Sequence, residues 1–167
     1  MKNKVNLKKV SDVVAEVLIE EKVSHVFAIS GGASLHLIHS LADNKNIQYI
    51  CNHNEQACAM AADGYSRVSG KTGVAVTTSG PGATNLITGI CFSYYDSIPS
   101  LFITCQVSTM RMKGDTGVRQ IGFQETPIVD IAQEITKYAY TIVDPEEIKY
   151  QLQKACLLYT SPSPRDS

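Results

Sequence analysis

Apolar positions along this chain alternate between two patterns: stripes repeating about every 3.6 residues, and short near-continuous runs. Residues 8–21 carry Val10, Val13, Val14, Val17 and Leu18 on one stripe, with Ser11 and Asp12 polar near the start, which predicts a helix. Residues 23–29 form an apolar run that reads as a buried strand. Leu35, Leu37, Ile38 and Leu41 mark a second helix closing near Asn44, and residues 47–51 the next strand. Residues 54–69 predict a third helix, rich in Ala57, Cys58, Ala59, Ala61, Ala62 and Gly64 and ended by Gly70. Side chains this small predict a close helix–helix contact. A strand over 73–78, a helix from about Ala83 to Tyr95 and a strand over 99–105 follow. Residues 107–125 are irregular. Thr126-Pro127 opens a helix through Ile135, with Pro127 in its first turn. Residues 137–143 alternate weakly and read as a last strand, and Asp144-Pro145-Glu146-Glu147 caps a final helix through about Leu158. Strand and helix alternating in this way predict an α/β fold, a mainly parallel sheet with helices on both faces.

Ligands of such sheets gather at the carboxyl ends of the strands. Three turns follow strand ends: Ser30-Gly31-Gly32, Asn52 to Glu55, and Ser79 to Asn85. Each has a structural and a functional reading. Asn52-x-x-Glu55 resembles a capping box, and a carboxylate in a first helical turn is favoured by the helix dipole. Gly80-Pro81-Gly82 suits a tight strand-to-helix turn, yet glycine there also lets backbone approach a ligand beside free helix N–H groups. It is not a dinucleotide fingerprint: Asn85 stands where the third glycine belongs, and no acidic residue follows the next strand. Gly70-Lys71-Thr72 is not a phosphate loop, because five residues separate it from Gly64 and it follows a helix.

With 167 residues, 44% of them hydrophobic, the chain has the size and composition for one packed domain. A net charge of −1 supplies no electrostatic case for nucleic acid or an anionic membrane surface. Apolar runs are too short to span a bilayer, and no apolar signal core follows Met1-Lys2-Asn3-Lys4, so a cytoplasmic location is the expectation. Cys51, Cys58, Cys91, Cys105 and Cys156 include no Cys-x-x-Cys pair and suggest no disulfide framework. His25, His36, His39 and His53 have no zinc-ligand spacing with them, so no metal site is expected.

Six short segments occur in order: Asn54-Glu55-Gln56-Ala57, Ala61-Ala62-Asp63-Gly64-Tyr65-Ser66-Arg67, Gly70-Lys71-Thr72-Gly73-Val74, Thr78 to Asn85, Asp96-Ser97-Ile98-Pro99 and Phe123-Gln124-Glu125. Together, over about residues 8–157, they are similar to the N-terminal pyrimidine-binding domain of thiamine-diphosphate enzymes, in particular the acetolactate synthase-like group. The resemblance implies a catalytic role for Glu55, the glutamate that meets N1′ of the aminopyrimidine. Gly82 and Asn85 match positions lining that ring, with Thr78 and Pro81 beside them. Gln124 matches a glutamine reaching toward cofactor and substrate, and Phe123 a phenylalanine of the substrate pocket. Glutamate suits the task because proton exchange with a carboxyl at N1′ makes the imino form of the 4′-amino group accessible, and that group takes the C2 proton.

The implied activity is decarboxylation and C–C ligation of pyruvate or another 2-oxo acid. Departures from the family pattern border the site: Ile29-Ser30 replaces the usual Tyr-Pro, Asn54 the usual His, and Gly122 the usual Ala. They leave the substrate open. In the family a separate domain binds the diphosphate and Mg2+, a middle domain holds FAD in some relatives, and a second subunit completes the site. A homodimer or higher homo-oligomer is therefore implied, with the small-residue face at Ala57, Ala61 and Ala62 as a candidate contact. The domain is expected to cover residues 1–158 as part of a longer enzyme, inactive alone. Residues 159–167 read as a non-native tail, because their Ser/Pro alternation cannot continue a helix. The competing readings are a non-catalytic nucleotide- or flavin-binding module and a docking subunit for a separate catalytic chain.

Overall fold

The computed structural model describes residues 7–160. Among them four strands form one parallel sheet: β1 (His25–Ala28), β2 (Gln48–Cys51), β3 (Gly73–Thr77) and β4 (Ser100–Thr104), in the order β2-β1-β3-β4. The helices are α1 (Val10–Glu20), α2 (Leu35–Ala42), α3 (Glu55–Ser69), α4 (Pro81–Thr84), α5 (Ile87–Tyr95), α6 (Ile128–Ala132) and α7 (Ile148–Thr160). The α/β expectation therefore holds.

Alternation along the strands divides the core in two, as successive strand side chains must point to opposite faces. Val26, Ala28, Val74, Val76 and Leu101 face one cluster with Val14, Val17 and Leu18 of α1, Leu37 and Leu41 of α2, and Leu152 and Cys156 of α7. Phe27 and Ala75 face the other with Cys58, Ala59 and Ala62 of α3, Leu86, and Ile90 of α5. β1 and β3 have both faces covered, which accounts for their unbroken apolar sequences.

The small residues of α3 do what their size predicts. A Cβ at Gly89 of α5 would stand 2.3 Å from the Ala59 Cβ, and one at Gly73 of β3 would stand 1.9 Å from the Ala62 carbonyl oxygen. Ala62 is thus used up inside the chain and is not available to a partner, whereas Ala57 stays exposed.

Four local expectations are corrected. The cap of α3 is Asn54, not Asn52: the Asn54 side chain accepts from the amides of Gln56 at 2.8 Å and Ala57 at 3.3 Å. The helix expected over 83–95 is two helices starting at Pro81, because a break at Asn85-Leu86 buries Leu86 in the second cluster. Pro127 precedes α6 rather than lying in its first turn, and residues 133–135 close it as a 3-10 turn. Residues 137–143 form no strand. Their Tyr138 and Tyr140 rings stack in parallel, 6.2 Å apart, and their hydroxyls bond Gln151 and Glu147, so side chains tie this segment to α7 in place of a backbone ladder.

α7 continues through Tyr159, which packs on the first cluster; residues 161–167 of the expected tail lie outside the described residues. A cavity of about 690 Å³ runs beside β4, lined by strand residues such as Phe102 and Thr104, by Tyr138 and Ile142, and by Leu152 of α7.

Candidate functional site

The register Ala28↔Cys51 and Ala28↔Val76 brings the carboxyl ends of β1, β2 and β3 level, so the turns after them meet. Strand order reverses between β1 and β3, the position at which parallel sheets open a crevice. Gly31, after β1, packs against Thr78, after β3, so closely that a Cβ would stand 2.5 Å from the threonine Cβ. Ser34 pins this turn by accepting from the Gly31 amide at 2.9 Å and donating to the Gly31 carbonyl.

Gly80 takes φ +60°, a left-handed value that favours glycine, and Pro81 then starts α4 with its fixed φ. That bend carries Gly82 to Glu55. A Cβ on Gly82 would stand 3.5 Å from Glu55 Oε1 and 2.6 Å from Thr78 Cγ2. Asn85 Nδ2 donates to Glu55 Oε2 at 2.9 Å. Glu55 is half-buried at the first position of α3, where unpaired amides favour a carboxylate. Asn54 takes the capping duty and leaves the Glu55 oxygens to face the bend. Beneath lies Cys58, whose thiol is pushed up to about 12, first by burial and then by the charge of Glu55.

Of the residues singled out in the sequence, Glu55, Thr78, Gly82 and Asn85 come together here. Pro81 is exposed on the bend. Gln124 packs onto the same bend at Gly80: a Cβ there would stand 2.6 Å from the Gln124 carbonyl oxygen. Phe123 stands apart, 79% exposed. The cavity beside β4 includes none of these residues; it runs along the lateral margin of the sheet and reaches the end of β4 at Thr104, Cys105 and Gln106.

Sequence reasoning missed the clamp that aligns α3 with α5. Asp63 is buried and accepts from Arg67 Nε at 2.5 Å and from Ser93 Oγ at 2.9 Å, while Arg67 Nη2 reaches Asp96 at 2.6 Å. The i,i+4 spacing of Asp63 and Arg67 was a usable signal; their partners on α5 were not.

The fit to an aminopyrimidine can be judged from the donor set. One carboxyl oxygen is held by an amide and the other borders a glycine whose missing side chain leaves the approach open. The buried Asn52 Oδ1 and Thr77 Oγ1, at the ends of β2 and β3, have no hydrogen-bond partner. Such orphan atoms are rare in native interiors; a third, Ser100 Oγ, lies at the start of β4, away from this bend. The residues present fit the ring.

Residues 8–133 match the family model described as thiamine pyrophosphate enzyme, N-terminal TPP binding domain. The chain belongs to this family and is its pyrimidine-binding domain. Among curated proteins it is 40% identical over 157 residues to the chloroplastic acetolactate synthase of Arabidopsis thaliana, covering 94% of this chain and 22% of that protein. It is 41% identical over 157 residues to acetolactate synthase 1 of Oryza sativa subsp. japonica, 94% of this chain and 23% of that protein. It is 39% identical over 154 residues to the acetolactate synthase large subunit of Buchnera aphidicola, 92% of this chain and 26% of that protein. The chain thus spans about a quarter of the length of these relatives.

Proposed function

We propose that this chain supplies the aminopyrimidine half of a thiamine-diphosphate site in an acetolactate synthase-like enzyme acting on pyruvate or another 2-oxo acid. The observation that carries the reading is Glu55 with one oxygen on the Asn85 amide and the other bordering Gly82. When bound, thiamine diphosphate supplies a nucleophilic carbon that adds to the carbonyl of the 2-oxo acid. Glu55 holds or returns a proton at its free oxygen, a task a carboxyl performs and an amide does not. The Asn85 amide fixes the carboxyl's orientation, Thr78 and Gly82 shape the approach, and Gln124 and Phe123 stand on the substrate side.

The rest of the reading concerns the whole enzyme. Diphosphate and Mg2+ would be held by a domain outside this chain, FAD is a further candidate in the longer enzyme, and a second subunit would complete the site as a homodimer or larger homo-oligomer. Residues 1–158 would be the domain and 159–167 a non-native tail, whose first two residues, Tyr159 and Thr160, the last helix takes in. The cytoplasmic location is part of the same proposal.

Calorimetry with thiamine diphosphate and Mg2+ tests the reading on this chain and on the parent-length protein. Weak or no binding to the chain and tight binding to the longer protein are expected. Tight binding of FMN or a dinucleotide to the chain, with none of thiamine diphosphate to the longer protein, overturns it.

A further inference from the structure

Residues 107–126 leave β4 as a long excursion and return to the bend at Gly80. The base is closed by Gln106, whose Nε2 donates to the Thr126 carbonyl at 2.9 Å while its Oε1 accepts from the Val107 amide at 2.9 Å. The interior is closed by one side chain, Glu125. Its Oε1 accepts from the Lys113 amide at 2.7 Å, and its Oε2 from those of Ile121 at 3.0 Å and Gly122 at 3.3 Å.

These three bonds gather both limbs of the excursion around one carboxylate, and the two residues just before it are Phe123 and Gln124. Gln124 takes φ +58°, a left-handed value costly for a residue with a side chain, inside a turn that the Glu125 amide closes by donating to the Gly122 carbonyl at 3.1 Å. Gly80, itself left-handed, is the surface it is held against. Gly122 is seated equally tightly, since a Cβ there would stand 2.7 Å from Val107 Cγ2.

We propose that Glu125 is a positioning residue: its carboxylate draws the Lys113, Ile121 and Gly122 amides together and so sets Gln124 against the Gly80-Pro81 bend, with Phe123 projecting beside it, before any ligand arrives. The assignment of Phe123 and Gln124 to the substrate side rests on the function proposed above; the staple itself does not. The three amides also hold the Glu125 carboxyl below the usual carboxylate range, with the Lys113 charge adding to them.

Amide exchange by NMR on the unliganded chain tests the proposal apart from any cofactor. In Glu125→Gln one oxygen becomes a donor facing amide donors. Protection at Lys113, Ile121 and Gly122 should fall at least ~10-fold, the scale of a lost hydrogen bond to a charged group. The Gly80 resonance should shift while protection in β1 and β3 stays unchanged. In the native chain, protection at the three amides, corrected for intrinsic exchange, should drop only below the ordinary glutamate range, a step absent from Glu125→Gln. Unchanged protection in Glu125→Gln, an unmoved Gly80, or a loss spread evenly through the sheet overturns the proposal. Failure of the cofactor reading would instead show as absent thiamine diphosphate binding with these signatures intact.

Discussion

Replacing Glu55 with Gln in the parent-length enzyme separates chemistry from architecture, because its two costs can be sized independently. The architectural cost is small. Asn85 Nδ2 can still donate to the glutamine carbonyl at the position where it now meets Oε2 at 2.9 Å, so a bond to a charge becomes a neutral one. That exchange costs roughly 1 kcal/mol. Loss of a carboxylate from the first turn of α3 adds roughly 0.3–1 kcal/mol. The sum lowers the melting midpoint of a domain this size by about 2–8 °C. Proton exchange is lost altogether, and general acid–base catalysis contributes at least ~100-fold, or about 2.7 kcal/mol of barrier. Turnover of the 2-oxo acid substrate should therefore fall ~100-fold or more while the protein stays folded and keeps its cofactor. Steady-state kinetics, with calorimetry to show retained thiamine diphosphate, measure both. Turnover within about threefold of the native enzyme, with cofactor bound, would refute the role of Glu55.

Three further outcomes are expected. Gly82→Ala puts a methyl group 2.6 Å from Thr78 Cγ2, which Gly31 confines from its other side, and at the edge of Glu55, so thiamine diphosphate affinity of the longer enzyme should drop ~10-fold or more, as calorimetry would show, beside an overpacking cost of about 1–3 kcal/mol. Gly73→Ala drives a Cβ to 1.9 Å from backbone oxygen of α3, which cannot swing aside; a loss of about 3 kcal/mol or more, at the upper end of overpacking costs, should appear in urea unfolding of this chain. Burial raises the thiols of Cys58 to about 12 and of Cys105 and Cys156 to about 11, from an ordinary 9.0. The unfolded chain then gives up these protons first, so stability should decline from about pH 9 upward, read from urea midpoints between pH 8 and 11.

Layer architecture was legible in the sequence because each strand centres on a short apolar stretch and β1 and β3 are covered on both faces. The ending of α3 at Gly70 and its close packing were legible for the same kind of local reason. What escaped depended on tertiary partners. Residues 137–143 have a strand's alternation, yet their tyrosines find α7 before their backbone finds a neighbour. The break at Asn85-Leu86 exists because Leu86 must reach the core while Asn85 reaches Glu55, and no local propensity encodes that. Asn54 and Asn52 are equally good caps on paper; the φ of −155° and ψ of 145° at Asn54 settle the matter in three dimensions. Glu55 itself carried two meanings until Gly82 and Asn85 were seen beside it.

β4 is paired through only one of its two sides among the described residues. Its other side faces residues 135–143 and α7 across the cavity, so a strand that displaced residues 137–143 could extend the sheet there. Whoever purifies this chain in isolation should expect a sticky flank, and concentration-dependent clumping there would say nothing against the chemistry at the other rim of the sheet.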